Sequence, residues 1–121
     1  MNSDDYLKES AVTCLNGIQM KELTEDMSTL KGNLMHAALG IAGESGEIVD
    51  LIKKKVIYSA PIDPNDLEEE IGDLFWYIAI VCRETGTNFE SIMDVNIEKL
   101  RKRYPDGKWT AKHAIERKDK Q

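Results

Sequence analysis

Apolar residues along this chain recur at three- and four-residue intervals, punctuated by residues that start or stop helices. The spacing predicts a first helix from about Asp4 to Asn16 or slightly beyond, with Ser3 as N-cap and Gly17 weakening its far end. A second, unusually long helix runs from Ser28 or Leu30 to about Ile57. It contains Gly32, Gly40, Gly43 and Gly46, each less favourable than alanine by ~1 kcal/mol. So many glycines point to close helix contact or room for a ligand, with local bending as the plainer alternative. The third helix is the best bounded: Asp63 caps it, Pro64 takes the tolerated first position, and Gly86 stops it after Glu84 or Thr85. The fourth follows Asn88 and ends near Tyr104, before Pro105, leaving Asp106 to Gln121 extended or loosely helical. No strand-like alternation, repeat or linker interrupts the 121 residues. The expectation is one all-α domain over 1–121, with a four-helix-bundle-like core and a polar C-terminal tail.

At about 100° per residue, three of these helices carry a polar stripe beside an apolar face. On the second helix the stripe is Asn33, His36, Gly40, Glu44, Glu47, Leu51 and Lys54, next to Leu34, Ile41, Ile48 and Ile52. On the third it is Asp66, Glu70, Asp73 and Tyr77, next to Leu67, Ile71, Leu74, Ile78 and Val81. On the fourth, Asn96, Lys99 and Arg103 border Phe89, Met93, Ile97, Leu100 and Tyr104. Such stripes line a cleft between helices. Glu44-x-x-Glu47 and Glu70-x-x-Asp73 each aim two carboxylates in one direction from apolar surroundings, where ionisation is costly without a counter-charge. A hard divalent cation supplies that charge, and a set of oxygen ligands without a histidine one turn away favours Mg²⁺ or Mn²⁺ over zinc or redox iron. Either acidic pair alone reads as a solvated helix face. Together, and complemented by Lys, Arg and Asn on a third helix, they read as a site. His36 reads equally as a ligand contact or as a solvated histidine.

Composition narrows the classes. The net charge of −6 divides unevenly: residues 1–98 hold 19 acidic and 7 basic side chains, residues 99–121 hold 3 and 9. An acidic body argues against a nucleic-acid polymer as partner, which needs a positive surface. The basic end is either a solvated tail or a set of cations for a polyanion. No apolar run approaches the ~20 residues of a membrane span, and the first ten residues lack the pattern of a signal peptide. Cys14 and Cys82 lack metal-ligand spacing and read as reduced, core-lining thiols of a cytoplasmic protein.

The segments HAALGIAGESGEIVDLIKK, DLEEEIGDLFWYIAIVC and VNIEKLRKRYPDGKW extend this pattern over roughly positions 33 to 109. In them the chain resembles the all-α nucleoside triphosphate pyrophosphohydrolases of the MazG-like type. Its E-x-x-E and E-x-x-D, with 22 residues between Glu47 and Glu70, match that family's metal-binding signature. The resemblance implies Mg²⁺-dependent cleavage of a nucleoside triphosphate, deoxynucleoside triphosphates included, between the α and β phosphates. The products are a monophosphate and pyrophosphate, in a role of pool cleansing or regulation. Glu44, Glu47, Glu70 and Asp73 are then the metal ligands, with Glu44 or Glu47 alternatively acting on the attacking water. Lys54, Lys99 and Arg103 face phosphate charge. Tyr77 stacks on the base or contacts the sugar, His36 touches the bound ligand, and Asn96 meets the substrate or metal-bound water. Trp76 is expected on the far side of its helix at an oligomer contact, and Trp109 over the site.

Met35 and Leu39, pointing away from the core stripe, and the family resemblance together favour a homo-oligomer, dimer or tetramer. Two rival readings remain: an all-α pyrophosphohydrolase of another phosphorylated nucleotide metabolite, and a helical interaction protein whose acidic grooves take a basic partner without metal.

Overall fold

The computed structural model describes residues 2–25 and 28–121, and it is all-α: no strand occurs among the described residues. The chain divides into two compact units, Met1–Gly32 and Asn33–Gln121. In the first, the single expected helix is two, α1 (Ser3–Val12) and α2 (Gly17–Glu25). The break has a local cause. Asn16 Oδ1 accepts the Gln19 backbone N–H at 2.9 Å, and Gln19 Oε1 accepts the Asn16 N–H at 3.0 Å. This reciprocal pair starts a new helix at Gly17. The α1 cap is Asn2, which accepts the Asp5 N–H at 2.8 Å, in place of the expected Ser3. No described residue of α1 or α2 is buried, and Cys14 is exposed where a core position was expected.

The other helices follow their punctuation. Helix α3 (Thr29–Tyr58) begins with Ser28 Oγ accepting the Lys31 N–H at 3.3 Å. It ends at Ser59, whose φ of 55° is a left-handed stop unusual for a residue other than glycine. Helix α4 (Pro64–Thr85) has the Asp63 cap, Pro64 in its first turn and Gly86 at φ 71° as its C-cap. Asn88 caps α5 (Phe89–Arg103) by accepting the Ser91 N–H at 2.9 Å. The tail is more ordered than its composition implies. Thr110 caps a short α6 (Ala111–Glu116), and a 3₁₀ turn (Lys118–Lys120) follows.

Helices α3 and α4 pack antiparallel, because rising numbers on one meet falling numbers on the other. Asn33 Nδ2 donates to Glu84 Oε1 at 2.7 Å, His36 lies against Tyr77, and Glu44 meets Glu70 and Asp73. The Phe75 and Phe89 rings, 6.0 Å apart, link α4 to α5. Among the described residues only Ala37, Ile80 and Cys82 are buried apolar side chains. The apolar faces of α3 and α4 are half-covered, and Ile52, Met93 and Ile97, expected in the core, are exposed.

The tail is tied down by charge. Arg103 Nε and Nη2 donate to Asp119 Oδ1 and Oδ2 at 2.7 and 2.9 Å, and the Asp119 side chain is only 1% exposed. A bidentate guanidinium–carboxylate pair is among the strongest polar contacts a fold can make. The hydrogen bonds from Arg103, opposed by burial and supported by its charge, hold the Asp119 carboxyl well below the usual carboxylate range. The folded carboxyl thus binds its proton more weakly than in the unfolded chain. The stabilisation is complete above the ordinary aspartate value of 3.8 and is lost only as pH falls through the depressed one. Asp119→Asn should lower the melting temperature by several degrees at pH 7 and release the tail to proteolysis. The difference from the parent protein should vanish in strong acid. Equal melting of the two proteins at pH 7 would show that the clamp contributes nothing.

Candidate active site

The polar stripes of α3 and α4 form the seam between these two helices. Carboxylate oxygens of Glu44, Glu70 and Asp73 all lie within 4.8 Å of one another, with Glu44 and Glu70 half-buried and Asp73 exposed. Three oxygen donors converging from two helices fit a hard divalent cation, and no histidine or thiol belongs to the group. Partial burial, reinforced by the negative charges of Glu47 and Glu44 and a hydrogen bond with Glu44, raises the Glu70 carboxyl above its ordinary range. This is the electrostatic signature of carboxylates gathered without a counter-charge. Glu47 is exposed and outside the group of three, yet close enough for its charge to act on Glu70.

One turn along the seam lies a cluster of rings. His36 is 5.4 Å from Tyr77 and 6.2 Å from Trp76, and Trp76 is 5.0 Å from Tyr77, all edge-on. Trp76 therefore stands beside the seam and not on the far side of α4. On the wheel it is only about 60° from Asp73, a gap that an indole spans. Tyr77 lies against Gly40 so closely that a Cβ built there would collide with its ring, whereas Gly32, Gly43 and Gly46 meet open space. Close helix contact thus explains one of the four glycines on α3.

The expected cations are distributed differently. Lys54 Nζ bonds Asp50 Oδ2 at 2.8 Å on its own helix, with Glu47 and Asp66 also raising its pKa through their charges. Arg103 is committed to Asp119. Asn96 and Lys99 line a cleft of about 450 Å³ with Thr87, Ser91, Ile92, Met93 and Val95, and none of the four acids belongs to that lining. Trp109, 72% exposed, lines a smaller cleft with Tyr104 and Lys108. In one chain, then, α3 and α4 bring together the acids and the rings, while Lys99 lines a cleft that includes none of them and Arg103 is held by Asp119. Sequence reasoning passed over Asp119 and underused Gly40. An acid set between Lys118 and Lys120 in a basic tail, and a glycine one turn before Glu44, were the available signals.

The acid pairs and the ring cluster all fall within residues 34–108, which match the MazG nucleotide pyrophosphohydrolase domain. The chain belongs to the MazG nucleotide pyrophosphohydrolase family. The Gene 37 protein of Mycobacterium phage L5 is similar to it, 28% identical over 86 residues that cover 68% of this chain and 75% of that protein. No solved structure matches the chain. Family membership makes this MazG protein a pyrophosphohydrolase in the broad sense, with an acidic cluster able to take a divalent metal. No described helix is long and apolar enough to cross a membrane.

Because the folded state holds the Glu70 proton more tightly than the unfolded chain does, its contribution to stability is complete below the ordinary value of 4.5. It is lost as pH rises through the raised value. The metal-free protein should therefore lose stability over that window, and Glu70→Gln should flatten the loss. A divalent cation at one-hundredfold excess over Kd should stabilise the parent protein at neutral pH by about 2.7 kcal/mol. Glu44→Gln, Glu70→Gln and Asp73→Asn should each abolish that gain. Calorimetric melts with and without Mg²⁺ or Mn²⁺ check both outcomes, and undiminished metal stabilisation in all three variants would remove the cluster as a metal centre.

Proposed function

We propose that this protein hydrolyses nucleoside triphosphates, deoxynucleoside triphosphates among them, to the monophosphate and pyrophosphate with Mg²⁺ as its cation and Mn²⁺ as a substitute. The observation that carries this reading is the convergence of Glu44, Glu70 and Asp73 inside the segment that matches the family. An acidic pocket repels a triphosphate unless cations stand between them, and these carboxylates are the groups that would hold such cations. When bound, divalent ions clamp the phosphates, polarise the α-phosphorus and make water a better nucleophile.

The residues of the chain then take separate tasks. Glu47, outside the group of three yet electrostatically coupled to it, is the favoured acceptor of the water proton, with Glu44 the second candidate. Lys99 and Lys54 neutralise phosphate charge as it develops, and Asn96 donates to the substrate. Arg103 reaches a phosphate only by leaving Asp119. His36 and Tyr77 belong to the nucleoside end, since they continue the seam beyond the acids.

Separation of the Asn96–Lys99 cleft from the acids, together with exposed Met35, Leu39, Val49, Val56 and Phe75, supports a homo-oligomer of at least two chains. A nucleotide pool calls for a cytoplasmic location, and nothing in the site suits a nucleic-acid polymer. Cleansing and regulation of that pool both accord with the same chemistry.

Incubation with a panel of nucleoside triphosphates, followed by chromatography, tests the reading. Monophosphate and pyrophosphate should appear in equal amounts, only with a divalent cation, and Glu47→Gln should slow the reaction by at least about 100-fold, the lower end for general-base catalysis. A stoichiometric diphosphate product would reject the bond assignment. Absence of turnover with every triphosphate would favour another phosphorylated metabolite or a metal-independent binding role. Light scattering should give a dimer or tetramer, and a fully active monomer would refute the assembly.

A further inference from the structure

The ring cluster combines the edge-on contacts of an aromatic core with an exposure that a core lacks. Its three planes are nearly perpendicular, at 73° between His36 and Trp76, 82° between His36 and Tyr77, and 82° between Trp76 and Tyr77. Three such planes make a corner in which a flat heterocycle can stack on one face while its rim meets the edges of the others, the geometry aromatic rings prefer. The members are unequally free. Tyr77 is half-buried with its ring on the bare backbone of Gly40, whereas His36 is exposed and Trp76 is 57% exposed. An exposed indole whose neighbours already hold its edges presents a face at little further cost in side-chain entropy.

Position adds the second half of the argument. Trp76 follows Asp73 by three residues and Glu70 by six, an axial offset of about 5 to 9 Å. That offset suits a sugar bridging phosphates at the acids and a base at the rings.

We infer that Trp76, with His36 beside it, is the stacking surface for the nucleobase, and that Gly40 is a positioning residue. By leaving room for the Tyr77 ring, Gly40 fixes the depth of that surface relative to the acids. The inference rests on the nucleotide reading above and goes beyond it, because it moves base recognition from Tyr77 to Trp76 and assigns a task to a residue without a side chain. Substituting Gly40 with alanine puts a Cβ into the Tyr77 ring, so the ring must swing out and carry the Trp76 contact with it.

The test compares the oligomer carrying Trp76→Leu, Gly40→Ala, Tyr77→Ala, or both of the last two, using eight ribo- and deoxynucleoside triphosphates with Mg²⁺. Inorganic tripolyphosphate, a competitive inhibitor without a base, reports on the phosphate end alone. Trp76→Leu should raise KM by about tenfold or more, the scale of a lost base–aromatic stack, with a different factor for each base. Its inhibition constant for tripolyphosphate should stay unchanged. Gly40→Ala should show the same split between KM and inhibition, and should have no further effect once Tyr77 is alanine, since the two changes act through one contact.

An equal loss toward nucleotides and tripolyphosphate would overturn the inference, as would Gly40→Ala and Tyr77→Ala effects that simply add. If Trp76→Leu instead breaks the oligomer in light scattering, Trp76 covers a subunit contact and the stacking role is refuted. A parent protein active on none of the eight triphosphates would reject the function reading itself, a result distinct from any of these.

Discussion

The antiparallel contact of α3 with α4 is the constraint on which the rest of this molecule depends. Its closest point is the Tyr77 ring on Gly40, and its outer end is the hydrogen bond from Asn33 to Glu84. Between the helices nothing large is fully buried, so dispersion and hydrophobic transfer supply less here than in an ordinary bundle. The seam is instead set by complementary shapes and a few polar contacts. That geometry delivers Glu44 opposite Glu70 and Asp73, a repulsive arrangement that the pairing of the helices must tolerate until a cation arrives.

The half-covered faces put this repulsion in context. Helix α3 runs for 30 residues with only Ala37 buried, so its own chain leaves much of its apolar face uncovered. In water most helical stability comes from packing an amphipathic face. In the proposed oligomer, the exposed apolar side chains of α3, α4 and α5 would be the seat of the second chain. The folding of the site and that proposed assembly would then be aspects of one equilibrium.

Much of this was legible from residue order. The caps at Asp63 and Asn88 and the stop at Gly86 stand as read, because each is a local interaction decided within three or four residues. The stripe Asn33, His36, Gly40, Glu44 is the seam itself, since helical phase survives over long distances. What was not legible depended on distance or on competition. The break at Asn16 hung on a reciprocal bond with Gln19 that outcompeted continuation of α1. Arg103 lies on the expected stripe, but its partner is Asp119, sixteen residues away in a tail whose composition reads as solvated. Trp76 was misplaced because a wheel records where a side chain leaves the helix and not how far a bulky one reaches.

Gly43 and Gly46 meet open space on either side of Glu44 and just before Glu47. No contact within the chain accounts for them, and they lower the intrinsic helix preference of α3 where it carries its acids. A compliant backbone lets carboxylates close on a small ion or spread around a larger one with little penalty. Discrimination between ions at the proposed centre would then fall to the hardness of the oxygen donors and to how readily each ion gives up its water. For the proposed metal centre, that weakness of α3 would act as tolerance to the size of the ion.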